Sequence, residues 1–169
     1  MVTNYQPNIF DKSIPFRCKD CEGRYWAIHN DYGSFKDKVL IDFYSANSYF
    51  GFKFLMDGGK LAWAIEKNEE LNKEVNKVAV EKGLFLCCFT SIDNLTFFPD
   101  IALLLDSYGY SDTAKYMDII KQQCGVSYIS APSEKMNEKV AKALEKDFKC
   151  VTPIYAGKSG QIIYRCQKS

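Results

Sequence analysis

IALLLDSYGYSDTAKYMDIIKQQCG, residues 101–125, is the stretch whose reading decides the fold. An apolar run closes at Leu105, a polar turn covers Asp106 to Tyr110, and a helix capped by Ser111 or Asp112 follows. On that helix Tyr116, Ile120 and Cys124 recur at one-turn spacing, and Gly125 ends it. Downstream, Val126 to Ser130 reads as a short buried strand. Pro132-Ser133 opens another helix, with Met136, Val140 and Leu144 as its apolar stripe. Phe148 to Tyr155 and Gln161 to Cys166 then pair as a hairpin around Ala156 to Gly160.

Upstream, Leu84 to Thr90 and Leu95 to Leu105 read as strands flanking the turn Ser91 to Asn94, and Pro99 places a bulge or an edge in the second. Gly83 stops a helix over Leu61 to Lys82, whose start, Leu61 to Ile65, also fits a short strand. Asp57-Gly58-Gly59 is a turn. Before it, Val39, Leu40, Phe43, Tyr44 and Phe50 fall at helical spacing behind the N-cap Ser34, and Asn47, Ser48 and Gly51 divide the stretch into two helices. Gly23 to His29 is aromatic-rich and predicts a first strand. Residues 1–22 carry Pro7 and Pro15 and read as an extended arm over the core. The whole predicts one domain, residues 1–169, of the α/β (α+β) class: a single mixed β-sheet flanked by helices, ending in a C-terminal β-hairpin.

Composition narrows the function. The 169 residues are 47% hydrophobic and 15% aromatic, enough for a well-filled core. The net charge of +1, with no basic stretch, argues against nucleic-acid capture. No apolar run approaches the roughly 20 residues that cross a bilayer. Met1 to Phe10 lacks a signal-peptide pattern, so the expected location is cytoplasmic. Seven cysteines, an odd number in a chain of this length, point to reduced thiols rather than a disulfide scaffold.

The order strand, turn, helix, strand, helix, hairpin resembles the GNAT (Gcn5-related N-acyltransferase) superfamily over residues 84–166. In that family a Q/R-x-x-G-x-G/A turn holds a pyrophosphate. Here the turn is Asp106-Ser107-Tyr108-Gly109-Tyr110-Ser111, with Gly109 and the small Ser111 matching and an acid at Asp106. A helix N-terminus favours phosphate, whereas Asp106 and Asp112 oppose an anion. Asn137 and Phe148 match the family's next helix, while Leu144 stands where many members have a Tyr.

The resemblance implies an acyltransferase that moves an acyl group from acetyl-CoA, or another acyl-CoA, to a small-molecule or protein amine. Gly109, Tyr110, Ser111, Asp112 and Asn137 would bind the cofactor, and Asp100, Asp106 and Tyr108 would serve catalysis. A second reading keeps the fold without the chemistry, as a structural or adaptor protein, for example in a viral particle, with a protein partner or as a homo-oligomer. A third builds on Cys18-x-x-Cys21, a spacing that grips zinc from one turn. It needs two more ligands, and Cys150 and Cys166 would supply them if the final hairpin turned about Lys158. That reading is a zinc-stabilised nucleic-acid-binding module. The lone His29 beside a cysteine is the remaining nucleophile–base combination.

Overall fold

The computed structural model describes residues 6–11, 18, 20–93 and 98–168. Seven strands form one sheet: β1 (Val39–Phe43), β2 (Leu61–Ile65), β3 (Leu86–Phe89), β4 (Ile101–Leu104), β5 (Val126–Ser130), β6 (Cys150–Ala156) and β7 (Ile162–Gln167). Their order is β3-β2-β1-β4-β5-β7-β6. The first five run parallel, and β7 lies antiparallel between β5 and β6. Among the described residues five α-helices connect or flank them: α1 (Cys21–Tyr32), α2 (Tyr49–Met56), α3 (Glu69–Lys82), α4 (Thr113–Gln123) and α5 (Asn137–Asp147). A helix covers each face of a parallel sheet because its strands are apolar on both sides. One core packs α1, α2 and α3 against Leu40, Ala62, Leu103 and Tyr128. The other packs α4 and α5 against Ile41, Ala102, Leu104 and Ile129.

The mixed α/β sheet and the final hairpin are as the sequence predicts, but the GNAT-like order is not. The strand order reverses between β1 and β4, so the chain winds outward in both directions from the middle of the sheet. The stretch 101–125 carries this misreading, because strand, turn and helix in that order occur in every βα unit.

Two elements invert their predicted type. Val39 to Phe43 is a central strand, not a helix. A short apolar run buried on both faces has no period to distinguish it from a buried helical turn. Gly23 to His29 lies in a helix, not a strand: Cys21, Arg24, Tyr25 and Ile28 are the buried residues of α1, at helical spacing. Leu61 to Ile65 takes the strand alternative. The helix behind it begins only at Glu69, where the Asn68 side chain accepts from the Glu70 and Leu71 N–H groups. Gly83 ends it in the left-handed conformation.

Pro99 precedes β4, and residues 94–97 of the expected longer strand lie outside the described residues. So do 1–5, 12–17 and 19 of the N-terminal arm. In its described part, Phe10 packs edge-on against Phe52 at 5.1 Å. In the hairpin Cys150 faces Gln167 and Cys166 faces Val151, so the two cysteines are not opposite. Among the described residues no group of three or more His, Cys, Asp or Glu is placed to hold a metal ion. No helix among them is long and apolar enough to cross a membrane.

Candidate functional site at the carboxyl ends of the central strands

In a sheet wound both ways, the crevice outside the carboxyl ends of the two strands at the reversal is where ligands bind. Here those strands are β1 and β4, and the turns that follow them are Tyr44–Ser48 and 105–112. The backbone is unusual at both. Five non-glycine residues among those described have positive φ, and four sit in these turns: Tyr44 at 57°, Ala46 at 48°, Ser48 at 56° and Asp106 at 59°. A left-handed residue other than glycine costs about 1–3 kcal/mol and persists only where its surroundings dictate it.

Those surroundings are visible. The Ser45 N–H donates to the Ile65 carbonyl at 3.0 Å, and the Ser48 N–H to Ser45 at 2.7 Å. Glu66, immediately after β2, accepts from the Ala46 N–H at 2.9 Å through one carboxylate oxygen and from the Asn68 N–H at 2.8 Å through the other. Gln6 reaches in from the arm and accepts from the Tyr49 N–H at 3.1 Å. Beneath the turn, Asp42 is fully buried, and its Oδ2 has no hydrogen-bond partner among the described residues. Burial, and behind it the charge of Glu66, pushes the Asp42 carboxyl well above the usual carboxylate range.

Aromatic rings form the wall between the two turns. Tyr44 meets Tyr110 at 5.3 Å and Tyr116 at 5.2 Å, and Phe43 stacks on Tyr116 at 4.5 Å. Lys67 bridges to Asp112 and lies over the Tyr44 ring, so the segment after β2 is tied to the start of α4. On the far side, Asp106 pairs with Arg24 of α1 at 2.5 Å. It accepts from the Ser130 hydroxyl at 3.1 Å, while its own N–H donates to Ser130 at 2.9 Å. Arg24 also donates to Gln161 at 2.8 Å.

The residues expected from sequence separate in space. Asp106, Tyr108, Gly109, Tyr110, Ser111 and Asp112 lie together in the turn after β4. Asp100 stands at the other end of that strand, where it accepts from the Val39 N–H at 2.9 Å. Asn137 begins α5 and pins the hairpin, donating to the Gly160 carbonyl at 2.7 Å and accepting from the Ile162 N–H at 3.1 Å. Of the pyrophosphate cradle expected over Gly109 to Asp112, the first two N–H groups are taken up internally. The Gly109 N–H donates to Thr113 Oγ1 at 3.1 Å and the Tyr110 N–H to the Ser107 carbonyl at 3.1 Å. His29 packs on Phe35 at 5.0 Å within α1's aromatic cluster.

Comparison with protein-family models finds no match, and neither does comparison with curated protein sequences. Solved structures do match. The T. thermophilus 16S rRNA N2 G1207 methyltransferase, solved with AdoMet and guanosine, superposes with a TM-score of 0.70 at 13% identity over 85% of this chain and 41% of its own. Precorrin-6y C5,15-methyltransferase from Geobacter metallireducens gives 0.67 at 14% identity over 88% and 89%. The chain shares its fold with these two methyltransferases. Precorrin 8W decarboxylase of Methanobacterium thermoautotrophicum shares it over 98% of this chain and 99% of its own, with a TM-score of 0.69 at 14% identity. The acyltransferase, the acyl-CoA cofactor and the catalytically silent GNAT scaffold expected from sequence are thereby overturned.

The residues that sequence reading missed are Arg24, Asp42, Tyr44 to Ser48 and Glu66. The signal for Glu66 was an acid just after Leu61 to Ile65, once that segment is read as a strand. The turn showed in sequence only as a break at Asn47 and Ser48, because it makes left-handed backbone without a glycine.

Proposed function

We propose that this chain is an AdoMet-dependent methyltransferase whose cofactor lies across the carboxyl ends of β1, β2 and β4. The observation that carries the reading is the strained turn Tyr44–Ser48 with the Glu66 carboxylate against it, at the point where the strand order reverses. An acid about 20 residues beyond the first βα turn is placed to accept from the hydroxyls of a ribose. Glu66 has that position and two acceptor oxygens. The residues present fit such a group. Ser45 and Ser48 are buried, and the part-exposed Ala46 between them is the small residue that the turn presents. Buried polar atoms without partners among the described residues include Asp42 Oδ2, Asn47 Oδ1 and Ser107 Oγ, all in or next to the two turns. A ligand or water would satisfy them.

Bound there, the cofactor supplies an electrophilic methyl group on a sulfonium for transfer to a nucleophile. The chain's own contribution is orientation and proton handling. Asp106, fixed by Arg24 and Ser130, is the acceptor for the nucleophile's proton. Tyr108, whose phenol burial and then the Asp147 charge push up, packs on the α4–α5 core and supports the turn that carries Asp106. Relatives of this fold are named for an rRNA guanine and for precorrins, so the walls of the crevice set the substrate and the sheet does not.

Thermal unfolding tests the reading. Ligand at about 100 times its Kd adds about 2.7 kcal/mol. For a chain of this size that raises Tm by roughly 5–10 °C. AdoMet and S-adenosylhomocysteine should both do so, and acetyl-CoA should not. An unchanged Tm with AdoMet at millimolar concentration would contradict the assignment.

A further inference from the structure

The last helix carries a charge pattern that the cofactor chemistry does not use. Lys135, Lys139, Lys142 and Lys146 recur at intervals of four, three and four, so at about 3.6 residues per turn they return to one line. Lys135 stands in the short 3-10 turn Glu134–Met136 that leads into α5, and the other three on α5 itself. Val140 and Leu144, fully buried, take the opposite side of the helix, so the line faces solvent. All four lysines are exposed and line one open groove with Glu138 and Ala143. In sequence they are interleaved with Glu138, Glu145 and Asp147 and make no basic run, so a net charge of +1 conceals them. The fold separates the signs. Glu134 packs against Gly160 of the hairpin, and Asp147 pairs with Lys121 at 3.6 Å. Glu138 pairs with Lys142 at 2.6 Å. Lys135, Lys139 and Lys146 have no ion pair among the described residues, and Glu145, equally unpaired there, offsets one of those three charges.

We propose that this stripe binds the phosphate backbone of a single-stranded nucleic acid and leads it to the rim of the crevice. The four lysines extend over about 16 Å of helix, a line of positive charge along which successive phosphates can lie. The groove holds no aromatic or long apolar side chain of the kind that buries into a lipid surface. Its first end meets the crevice. Met136, beside Lys135, reaches within 3.8 Å of where a Cβ on Gly109 would stand, in the turn after β4. Next to Gly109, Tyr110 is 54% exposed, with its ring edge-on to Tyr44 at 5.3 Å. A basic track that ends at an exposed ring is the combination that single strands use: phosphates on the lysines, a base stacked on the aromatic face. An acidic peptide would gain from the lysines and nothing from the ring. Strand binding itself needs no cofactor. That a base laid on Tyr110 is then methylated rests on the methyltransferase reading above.

Fluorescence anisotropy of a labelled oligouridylate at several salt concentrations, without AdoMet, tests the surface. Three or four phosphate contacts give the plot of log Kobs against log salt a slope of roughly −2 to −3 for a single strand. The triple variant Lys135→Gln, Lys139→Gln, Lys146→Gln should bring that slope to about −1 or shallower and weaken binding at low salt at least about tenfold. A control triple, Lys60→Gln, Lys73→Gln, Lys77→Gln, removes the same charge from other exposed positions and should leave slope and affinity nearly unchanged. Tyr110→Ala should weaken binding about fivefold or more at an unchanged slope. Circular dichroism melts establish that the variants fold. The inference is overturned by an absence of binding to the parent at low salt or by equal losses in the two lysine triples. Polyglutamate displacing the label as well as unlabelled oligouridylate does would assign the stripe to an acidic protein and overturn it too. None of these outcomes bears on the cofactor site, which titration with AdoMet tests separately.

Discussion

Arg24 on α1 and Asp106 after β4 form an ion pair at 2.5 Å, with side chains only 5% and 11% exposed, across 82 residues of sequence. It fastens the first helix to the crevice. Removing one member of a buried pair strands the other charge, at a typical cost of 3–5 kcal/mol. Arg24→Ala should therefore lower the unfolding free energy in urea by roughly 3 kcal/mol or more. Arg24→Met combined with Asp106→Asn, which keeps a residue that tolerates the left-handed backbone and accepts from Ser130, should recover most of it. A loss under about 1 kcal/mol for Arg24→Ala would place the pair with weak surface bridges instead.

The turn after β1 makes the opposite kind of forecast. Ala46 holds φ at 48°, where a Cβ is crowded and glycine is not. Ala46→Gly should be neutral or stabilising, by up to about 1 kcal/mol. Ala46→Val should destabilise. Calorimetric melts of the two variants check the sign, and a loss on Ala46→Gly comparable to that on Ala46→Val would mean that the turn is not strained.

Asp42 sets a pH dependence. Its native carboxyl is raised above the unfolded value of about 3.9, so the folded state binds that proton more tightly. The resulting stability is complete below about pH 3.9 and is lost as pH climbs toward the raised native value. Asp42→Asn removes the titration. Its stability relative to the parent should improve from pH 4 to pH 8, as read by denaturant unfolding at several pH values. A pH-independent difference would show that the carboxyl titrates normally.

At the head of α3, the Asn68 side chain accepts from the Glu70 and Leu71 N–H groups at 3.0 and 3.1 Å. Asn68→Ala should cost about 1 kcal/mol, and Asn68→Asp little. Because Asn68 follows Glu66 by two residues, fraying of this helix start should also loosen the Glu66 carboxylate that its backbone holds.

The second half of the molecule was legible because its elements announce themselves. β5 runs over Val126 to Ser130 as expected, and Gly and Pro punctuate the hairpin. The first half was not. Val39 to Phe43 is five residues buried on nearly every side, and apolar spacing cannot choose between strand and helix there. Losing that strand lost the reversal at β1, and with it the crevice. The turn that follows compounds the loss, since Tyr44, Ala46 and Ser48 adopt a glycine-like path without a glycine to mark it. On the β4 side, the turn that holds Asp106 and Tyr108 was legible because polar residues close a long apolar run. Arg24 was not, because its role depends on a contact 82 residues away.

The central claim is that Glu66 and the turn after β1 receive an adenosine-bearing cofactor. Calorimetric titration of AdoMet into the parent protein and into Glu66→Gln tests it most directly. The parent should bind with a micromolar Kd, and Glu66→Gln, which keeps an acceptor for the turn but gives up the charge, should bind about tenfold more weakly or worse. Equal affinity in both, or no heat from the parent at millimolar AdoMet, would contradict the account.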